Sequence, residues 1–201
     1  MDNTRKSKLT ARELAIIPIF AALTAVLSQI AIPIPLSPVP ISFGLVAVYI
    51  SGILLKPSNA VWAQVCYLAL GAIGLPVFSN FQGGVGKLFG PTGGYLMIYP
   101  VMAWIVAMAL NSKSSIEKEN SRNKYYTLIV AAISMCVAHI VLYIAGTIWL
   151  SVITGNSFIA CLALAVYPFI PLDVIKILFC IFAIVPFRKR LLKMKLLVLD
   201  Y

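Results

Sequence analysis

Charged residues are scarce in this sequence. Of its 201 residues, 11% are Asp, Glu, Lys or Arg and 61% are hydrophobic, whereas a soluble domain carries charges on about a quarter of its residues. No charged residue occurs between Glu13 and Lys56 or between Lys56 and Lys87, and apolar runs of more than about 18 residues are typical of membrane spans. The composition excludes a water-soluble protein and predicts a single membrane domain over residues 1–201.

Prolines, glycines and charged residues divide the chain into apolar segments. The predicted spans cover residues 14–32, 41–55, 59–77, 93–110, 125–150 and 162–185. The second segment is short for a hydrocarbon core of about 30 Å. The repeated prolines of residues 33–40 remove backbone donors and favour an extended loop. The predicted fold class is all-α, a polytopic membrane protein with six transmembrane helices.

The basic residues lie in clusters at the ends of these segments, and their distribution predicts the orientation. Short loops rich in Lys and Arg stay on the cytoplasmic side of a membrane. With the N-terminus inside, 14 of the 16 basic residues are cytoplasmic, whereas Lys87 lies in an outer loop and Lys176 within the last span. We therefore predict a multi-pass protein of the cell membrane with both termini cytoplasmic. These clusters do not indicate a nucleic-acid site, because such a site would need basic residues along one soluble face.

The chain also lacks the motifs of ATPases, metal sites and nucleophilic enzymes. Gly86 and Lys87 lie in a glycine-rich stretch, but a phosphate-binding loop needs glycine where the chain has Phe81, and Ser or Thr where it has Leu88. The four cysteines form no C-x-x-C pair. The sequence predicts no enzyme, cofactor or metal site, so active transport would need an ion gradient or separate ATPase subunits.

Asp173 and Lys176 are ionisable residues within the last predicted span. Their i, i+3 spacing puts them on one helix face, and ionisable groups in a membrane usually mark a binding site or a pathway. Pro171 suits the first turn of a helix, which would bring Asp173 close to the outer loops. The two residues form either a structural ion pair or a ligand site. His139, the one histidine, is predicted to pack or to form a hydrogen bond.

Two further patterns suggest contacts with other molecules. Residues 78–94 contain six glycines, which can bring backbone amides close to a ligand, although such a stretch can also be a flexible connector. Tyr95 directly follows Gly93 and Gly94 and is a candidate wall of a ligand site. On the first helix, Ala21 and Ala25 form a small-xxx-small pair, as do residues 11 and 15, and such pairs let another helix approach closely.

Three strings of residues resemble the BioY family, the biotin-specific S components, or substrate-binding subunits, of energy-coupling-factor (ECF) transporters. They are Ile32 to Ile41 (IPIPLSPVPI), Leu70 to Phe78 (LGAIGLPVF) and Gly90 to Leu96 (GPTGGYL). They occur in the order of the family and span roughly the first half of the chain. The string that contains Gly93, Gly94 and Tyr95 is the most specific of the three.

The resemblance implies a six-helix S component that binds biotin from outside. It passes biotin inward together with a membrane coupling subunit and two cytosolic ATPase subunits. In the family, the ligand lies between the outer loops and the last three helices, and small residues of the first helix, best matched by Ala21 and Ala25, face the coupling subunit.

The chemistry of biotin agrees with the candidate residues. Asp173 can accept from the ureido ring, Lys176 can donate to it, and Asn80 can do either. Amides of the glycine loop, around Gly93 and Gly94, can hold the carboxylate. The sequence departs from the family at residues 80–82 and at Lys87, which takes a usually apolar position. Lys87 therefore meets either the carboxylate or solvent.

Two other functions are compatible with the residues themselves. An autonomous secondary transporter of a vitamin-like solute, driven by protons or sodium, would use Asp173 as its coupling carboxylate. A membrane enzyme or assembly factor would need no soluble ligand. The absence of a nucleophile motif gives the second of these little support.

Overall fold

The computed structural model describes residues 11–33, 37–112 and 125–193. In chain order its helices are α1 (Ala11–Gln29), α2 (Gly44–Leu54), α3 (Pro57–Ala72), α4 (Val85–Leu88), α5 (Gly93–Met97), α6 (Tyr99–Leu110), α7 (Tyr126–Thr154), α8 (Phe158–Ala165), α9 (Ile170–Phe179) and α10 (Val185–Lys193). A 3₁₀ turn covers Ser79–Phe81, and a π-helical turn, Cys180–Ile184, joins α9 to α10. Some residues that the sequence analysis uses lie outside the described ranges. They are the basic clusters at residues 5–8 and 113–124, Lys195, and residues 34–36 of the Pro-rich loop.

Two short strands accompany the helices. β1 (Ala31–Ile32) and β2 (Ile41–Ser42) pair antiparallel and close the Pro-rich loop into a hairpin. Because β2 takes up the first residues of the predicted second span, α2 begins only at Gly44. The third predicted span is also shorter as a helix, since α3 ends at Ala72, shortly before Gly74 with its φ of 103°.

Three of the described helices are long and apolar enough to cross a membrane. They are Gly93–Leu110, Tyr126–Thr154 and Ile170–Leu191, where the first combines α5 with α6 and the last combines α9 with α10. Glu13–Gln29 and Gly44–Leu54 are apolar helices of shorter length. The mostly helical structure and its apolar helices confirm the predicted class of a helical, multi-pass membrane protein.

α2 lies at the centre of the bundle and packs against α1, α3 and α6. Ten of its 11 residues are buried, which explains why its sequence is apolar on every face. Gly52 allows α6 to approach closely, because a Cβ there would lie 3.0 Å from the carbonyl oxygen of Ala103 and 2.9 Å from Cβ of Val106. Tyr49 of α2 is fully buried and points into the interior that the other helices enclose.

Buried side-chain hydrogen bonds join α2 to α1 and α3. The Gln64 amide donates to Oγ of Ser51 at 3.0 Å and to Oγ1 of Thr24 at 3.3 Å, and all three side chains are fully buried. The hydroxyls of Ser28 and Tyr67 lie 3.0 Å apart nearby. Such interhelical hydrogen bonds stabilise helix packing inside a membrane.

The small residues predicted to face a partner are on the inner side of α1. Ala21 is fully buried and Ala25 is partly buried against the core, so the pair brings α1 close to α2 and α3. Ala21 faces inward in this conformation, and its contact with another subunit stays a prediction. The exposed small residues of the helix are Ala11, Ala15 and Ala22. Because α1 is apolar on both faces, its sequence did not distinguish the two sides.

Arg188 is fully buried where α10 passes the C-terminal ends of α2 and α6. Its guanidinium donates to the main-chain carbonyl of Ile53, to that of Leu110 at 3.2 Å and to Oδ1 of Asn111 at 3.0 Å. The last carbonyls of a helix lack intrahelical donors, and a cation beside them also interacts favourably with the helix dipole. Arg188 therefore stabilises the ends of two helices.

We expect Arg188→Met to lower the free energy of unfolding by at least about 2 kcal/mol, because it leaves buried carbonyl oxygens without their charged donor. Arg190→Met is the matched control, since Arg190 lies on the same helix but is exposed. Denaturant titration of both variants in detergent micelles measures the difference. Equal effects of the two substitutions would contradict the role of Arg188.

Candidate functional site

A cleft lies among α2 and helices α5 to α9, beside the strand β2. Its first part, termed the α9 lobe, contains about 430 Å³ of empty space, part of which is open to solvent. Its lining consists of Val39, Pro40, Ser42, Leu45, Tyr95, Tyr99, Leu142, Tyr143, Ala165, Phe169, Asp173 and Lys176. Mostly apolar walls with a few polar groups are typical of sites that bind small molecules.

A second cavity of about 370 Å³, termed the loop lobe, adjoins the first. The residues that line the loop lobe alone are Phe78, Ser79, Lys87, Thr92 and Leu96. The two lobes share Val39, Pro40, Ser42, Tyr95 and Tyr99. Because five residues line both lobes, the lobes are adjacent parts of the cleft, with the two tyrosines at their common boundary.

Asp173 is the centre of a buried hydrogen-bond network in the α9 lobe. Nζ of Lys176 lies 2.9 Å from Oδ1 of Asp173, and the hydroxyl of Tyr143 donates to Oδ2 at 2.7 Å. Nε2 of His139 lies 3.0 Å from the same Oδ2. Only 5% of Asp173 and 6% of Lys176 are exposed. α9 begins with Pro171 in its first turn, as predicted.

His139 connects this carboxylate to the central helix α2. The hydroxyl of Tyr49 lies 2.7 Å from Nδ1 of His139. A carboxylate only accepts hydrogen bonds, so Nε2 carries the proton that faces Asp173, and in a neutral imidazole Nδ1 then accepts from Tyr49. The predicted hydrogen-bonding role of His139 is confirmed.

The partner of His139 could not be read from the sequence, because Asp173 is 34 positions away. One signal was available, since His139 and Tyr143 are one turn apart and share a face of α7. Two polar groups on one face of an apolar helix indicate a common partner inside the bundle.

The network keeps hydrogen-bonding capacity for a ligand. A carboxylate has about four acceptor positions and an ammonium has three N–H donors. Asp173 accepts three hydrogen bonds and Lys176 donates one within the described contacts. The negative charge of Asp173 and the positive charge of Lys176 cancel within the pair. The α9 lobe is therefore suited to a neutral polar group that both donates and accepts hydrogen bonds.

Tyr95 and Tyr99 form an aromatic wall along both lobes. The hydroxyl of Tyr95 lies 3.3 Å from Oγ1 of Thr147, and its ring packs on Gly146, where a Cβ would overlap with the ring. Tyr99 stacks on Tyr67 with ring centroids 6.3 Å apart. Tyr95 thus lines the cleft as expected. Tyr99 was not predicted, because an aromatic residue in an apolar helix looks the same as a core residue.

Gly93 and Gly94 are buried but do not line either lobe. The amide of Gly93 donates to the carbonyl of Gly90 at 3.0 Å, so it is not available to a ligand. A Cβ at Gly93 would overlap with the carbonyl of Leu88, and one at Gly94 with the side chain of Trp149. The ligand contacts of these glycines stay a prediction. The two positions need glycine for close packing.

Asn80 lies at the tip of a tight turn over residues 78–82 and is exposed. Asn80 and Phe81 have φ values of 61° and 56°, and Gln29 of α1 fixes the turn by accepting from the Phe81 amide at 2.8 Å. This left-handed turn presents Ser79 to the cleft instead of Asn80. Asn80 lines neither lobe in this conformation, and its contact with a ligand stays a prediction.

The glycine-rich loop is anchored on both sides of α4. The Gly84 amide donates to the carbonyl of Gly71 at 2.7 Å, and the Trp149 indole donates to the carbonyl of Gly90 at 2.9 Å. These contacts do not fit a flexible connector. Between the two anchors, Lys87 is half-buried in the wall of the loop lobe, and this burial lowers its pKa.

Comparison with known proteins gives matches along nearly the whole chain. Residues 2–193 match the model of the BioY family. "Biotin transporter BioY2" of Lactococcus lactis subsp. cremoris (strain MG1363) is 36% identical over 189 residues, which cover 94% of each chain. "Probable biotin transporter BioY" of Pyrococcus horikoshii is 31% identical over 168 residues, or 84% of this chain and 91% of the relative.

One solved structure has the same fold. It is a crystal structure of the S-component for biotin from an ECF-type ABC transporter, with a TM-score of 0.76 and 27% sequence identity. The match covers 96% of this chain and 95% of that chain.

We expect the loss of one member of the Asp173–Lys176 pair to lower the free energy of unfolding more than the loss of one member of an exposed ion pair would. Lys176→Met leaves a buried carboxylate without its cation, which typically costs about 3–5 kcal/mol. Adding Asp173→Asn removes the second charge and should recover at least about 1 kcal/mol. Denaturant titration of the two single variants and the double variant measures this coupling. Strictly additive losses would contradict a direct interaction.

Proposed function

The chain belongs to the BioY family, and from this membership we propose that it is a high-affinity biotin-binding S component of an ECF transporter. It captures biotin from outside the cell for ATP-driven uptake. As a transporter subunit it is not an enzyme, and the energy comes from separate ATPase subunits. Biotin is its ligand, and no cofactor is needed for this role.

The observation that carries this proposal is the Asp173–Lys176 pair at one end of an apolar cleft. The ureido ring of biotin is neutral and presents two N–H donors and one carbonyl acceptor. Asp173 has about one acceptor position left for an N–H group, and Lys176 has free N–H donors for the carbonyl. The fused rings then lie against Tyr95, and the proposed contacts also include Tyr143, which lines the same lobe.

The ion-coupled alternative is not favoured. Its coupling carboxylate would have to be Asp173, which already accepts hydrogen bonds from Lys176, His139 and Tyr143. The matched relatives are biotin transporters, and the matched structure is an S-component. The same Asp173 network is accounted for by recognition of a neutral polar ring.

In this proposal, the chain is one membrane domain that crosses the bilayer six times with both termini in the cytoplasm. Six helical segments support it, namely α1, α2, α3, α5 with α6, α7, and α9 with α10, and all of them except α3 are apolar helices by length and composition. Glu13 at the start of α1 lies 3.3 Å from Lys56 between α2 and α3, as expected if both belong to the cytoplasmic end. The cleft and Lys87 then face outward, in agreement with the rule that short basic loops are cytoplasmic.

Its partners are a membrane coupling subunit and two cytosolic ATPase subunits. The exposed face of α1 supports a contact with the coupling subunit through Ala15 and Ala22, rather than through the buried Ala21. Small residues on an exposed helix face let another helix approach closely inside a membrane.

Titration of the detergent-purified chain with biotin tests the ligand. We expect saturable 1:1 binding, and at least a tenfold loss of affinity, about 1.4 kcal/mol, in Asp173→Asn. Glu13→Gln is the matched control, because this acid lies at the start of α1, where it pairs with Lys56 away from the cleft lining. Thiamine and riboflavin serve as comparison ligands. A folded wild-type chain that fails to bind biotin refutes the proposal.

The partner surface is tested by co-purification with the coupling subunit. We expect Ala15→Leu combined with Ala22→Leu to reduce the recovered complex by at least about fivefold, because larger side chains hold the partner helix away. Ala183→Leu is the matched control on another exposed helix face. Biotin binding should be unchanged in both variants. Recovery of the complex at the wild-type level would exclude this face of α1.

A further inference from the structure

The loop lobe carries a charge that nothing in the described part of the chain neutralises. Of the six acidic residues, Glu13 and Asp173 belong to the described ranges. They form salt bridges with Lys56 and Lys176 respectively, and not with Lys87. The Lys87 ammonium therefore gives the loop lobe a positive charge, whereas the charges of the α9 lobe cancel.

Thr92 adds an unused hydrogen-bonding group to the same lobe. It is 5% exposed, and its Oγ1 has no hydrogen-bond partner within the described residues. A buried hydroxyl without a partner is destabilising, so a ligand atom that accepts its proton would recover this energy. The lining also contains Ser79, a second hydroxyl.

We propose that the loop lobe is a carboxylate-binding subsite in which Lys87 and Thr92 hold the anionic end of the ligand and select free carboxylic acids over their amides and esters. This inference rests on the proposed function. Biotin is neutral at its ureido ring and negatively charged at the end of its valerate chain. With the ring at Asp173, the chain runs past the tyrosine wall into the loop lobe, so each end meets a complementary environment.

The position of Lys87 favours a built subsite over a solvated surface charge. α4 is held by the Gly84–Gly71 and Gly90–Trp149 hydrogen bonds, so the backbone that carries Lys87 is held in place beside the loop lobe. Because Lys87 is half-buried, its attraction to an anion is screened less by water than that of an exposed lysine. Lys87 and Thr92, rather than the backbone amide of Gly93, are the proposed contacts of the carboxylate.

The test compares biotin with biotinamide, in which a neutral carboxamide replaces the carboxylate. We expect the full-length wild-type chain to bind the acid at least tenfold more tightly than the amide. Lys87→Met should remove most of this preference by weakening the binding of biotin and not that of biotinamide. Thr92→Val should weaken the binding of biotin about threefold. Lys56→Met is the matched control, because this lysine lies at the α2–α3 connection outside both lobes.

Charge reversal separates a specific subsite from general damage. Lys87→Glu should invert the preference, so that the amide binds more tightly than the acid, and mere destabilisation would weaken both ligands alike. If biotin binds and the acid-to-amide ratio is the same in Lys87→Met as in the wild type, the subsite is wrong and the proposed function stands. If the wild-type chain does not bind biotin, the proposed function fails and the subsite fails with it.

Discussion

A carboxylate buried in an apolar helix bundle must be matched by donors, because an unpaired charge there costs several kcal/mol. Asp173 meets this requirement with Lys176 from its own helix and with His139 and Tyr143 from α7. The arrangement of α7 and α9 therefore follows from one side chain. It also fixes the carboxylate before any ligand arrives, which reduces the conformational cost of binding.

The hydrogen-bond network around Asp173 extends to the central helix α2. Tyr49 of α2 completes the network through His139, and Ile53, one turn later, offers its carbonyl to Arg188 of α10. Four residues of an α-helix span about 6 Å. One turn of α2 therefore separates Tyr49, which belongs to the Asp173 network, from Ile53, whose carbonyl accepts from Arg188 at the helix ends. α2 tolerates contacts on all sides because it is buried on nearly every face.

The sequence was sufficient where a property depends on neighbouring residues alone. The apolar helical segments, the start of α9 near Pro171 and the common face of Asp173 and Lys176 follow from spacing and composition. It was insufficient where the backbone takes a rare conformation, as in the left-handed turn that presents Ser79 rather than Asn80. It was also insufficient where two faces of a helix are equally apolar, as for Ala21, and where partners are far apart in the chain, as for His139.

The structural and ligand-binding interpretations of Asp173 and Lys176 are compatible in this geometry. His139 and Tyr143 contact Oδ2, and Lys176 contacts Oδ1, while both members of the pair line the α9 lobe. A buried ion pair that served packing alone would need no cavity beside it. Because the charges of the pair cancel, the lobe can accept a neutral ring without desolvating a net charge, and the preference for an acid depends on the distant Lys87. The cleft thus separates recognition of the ring from recognition of the charge.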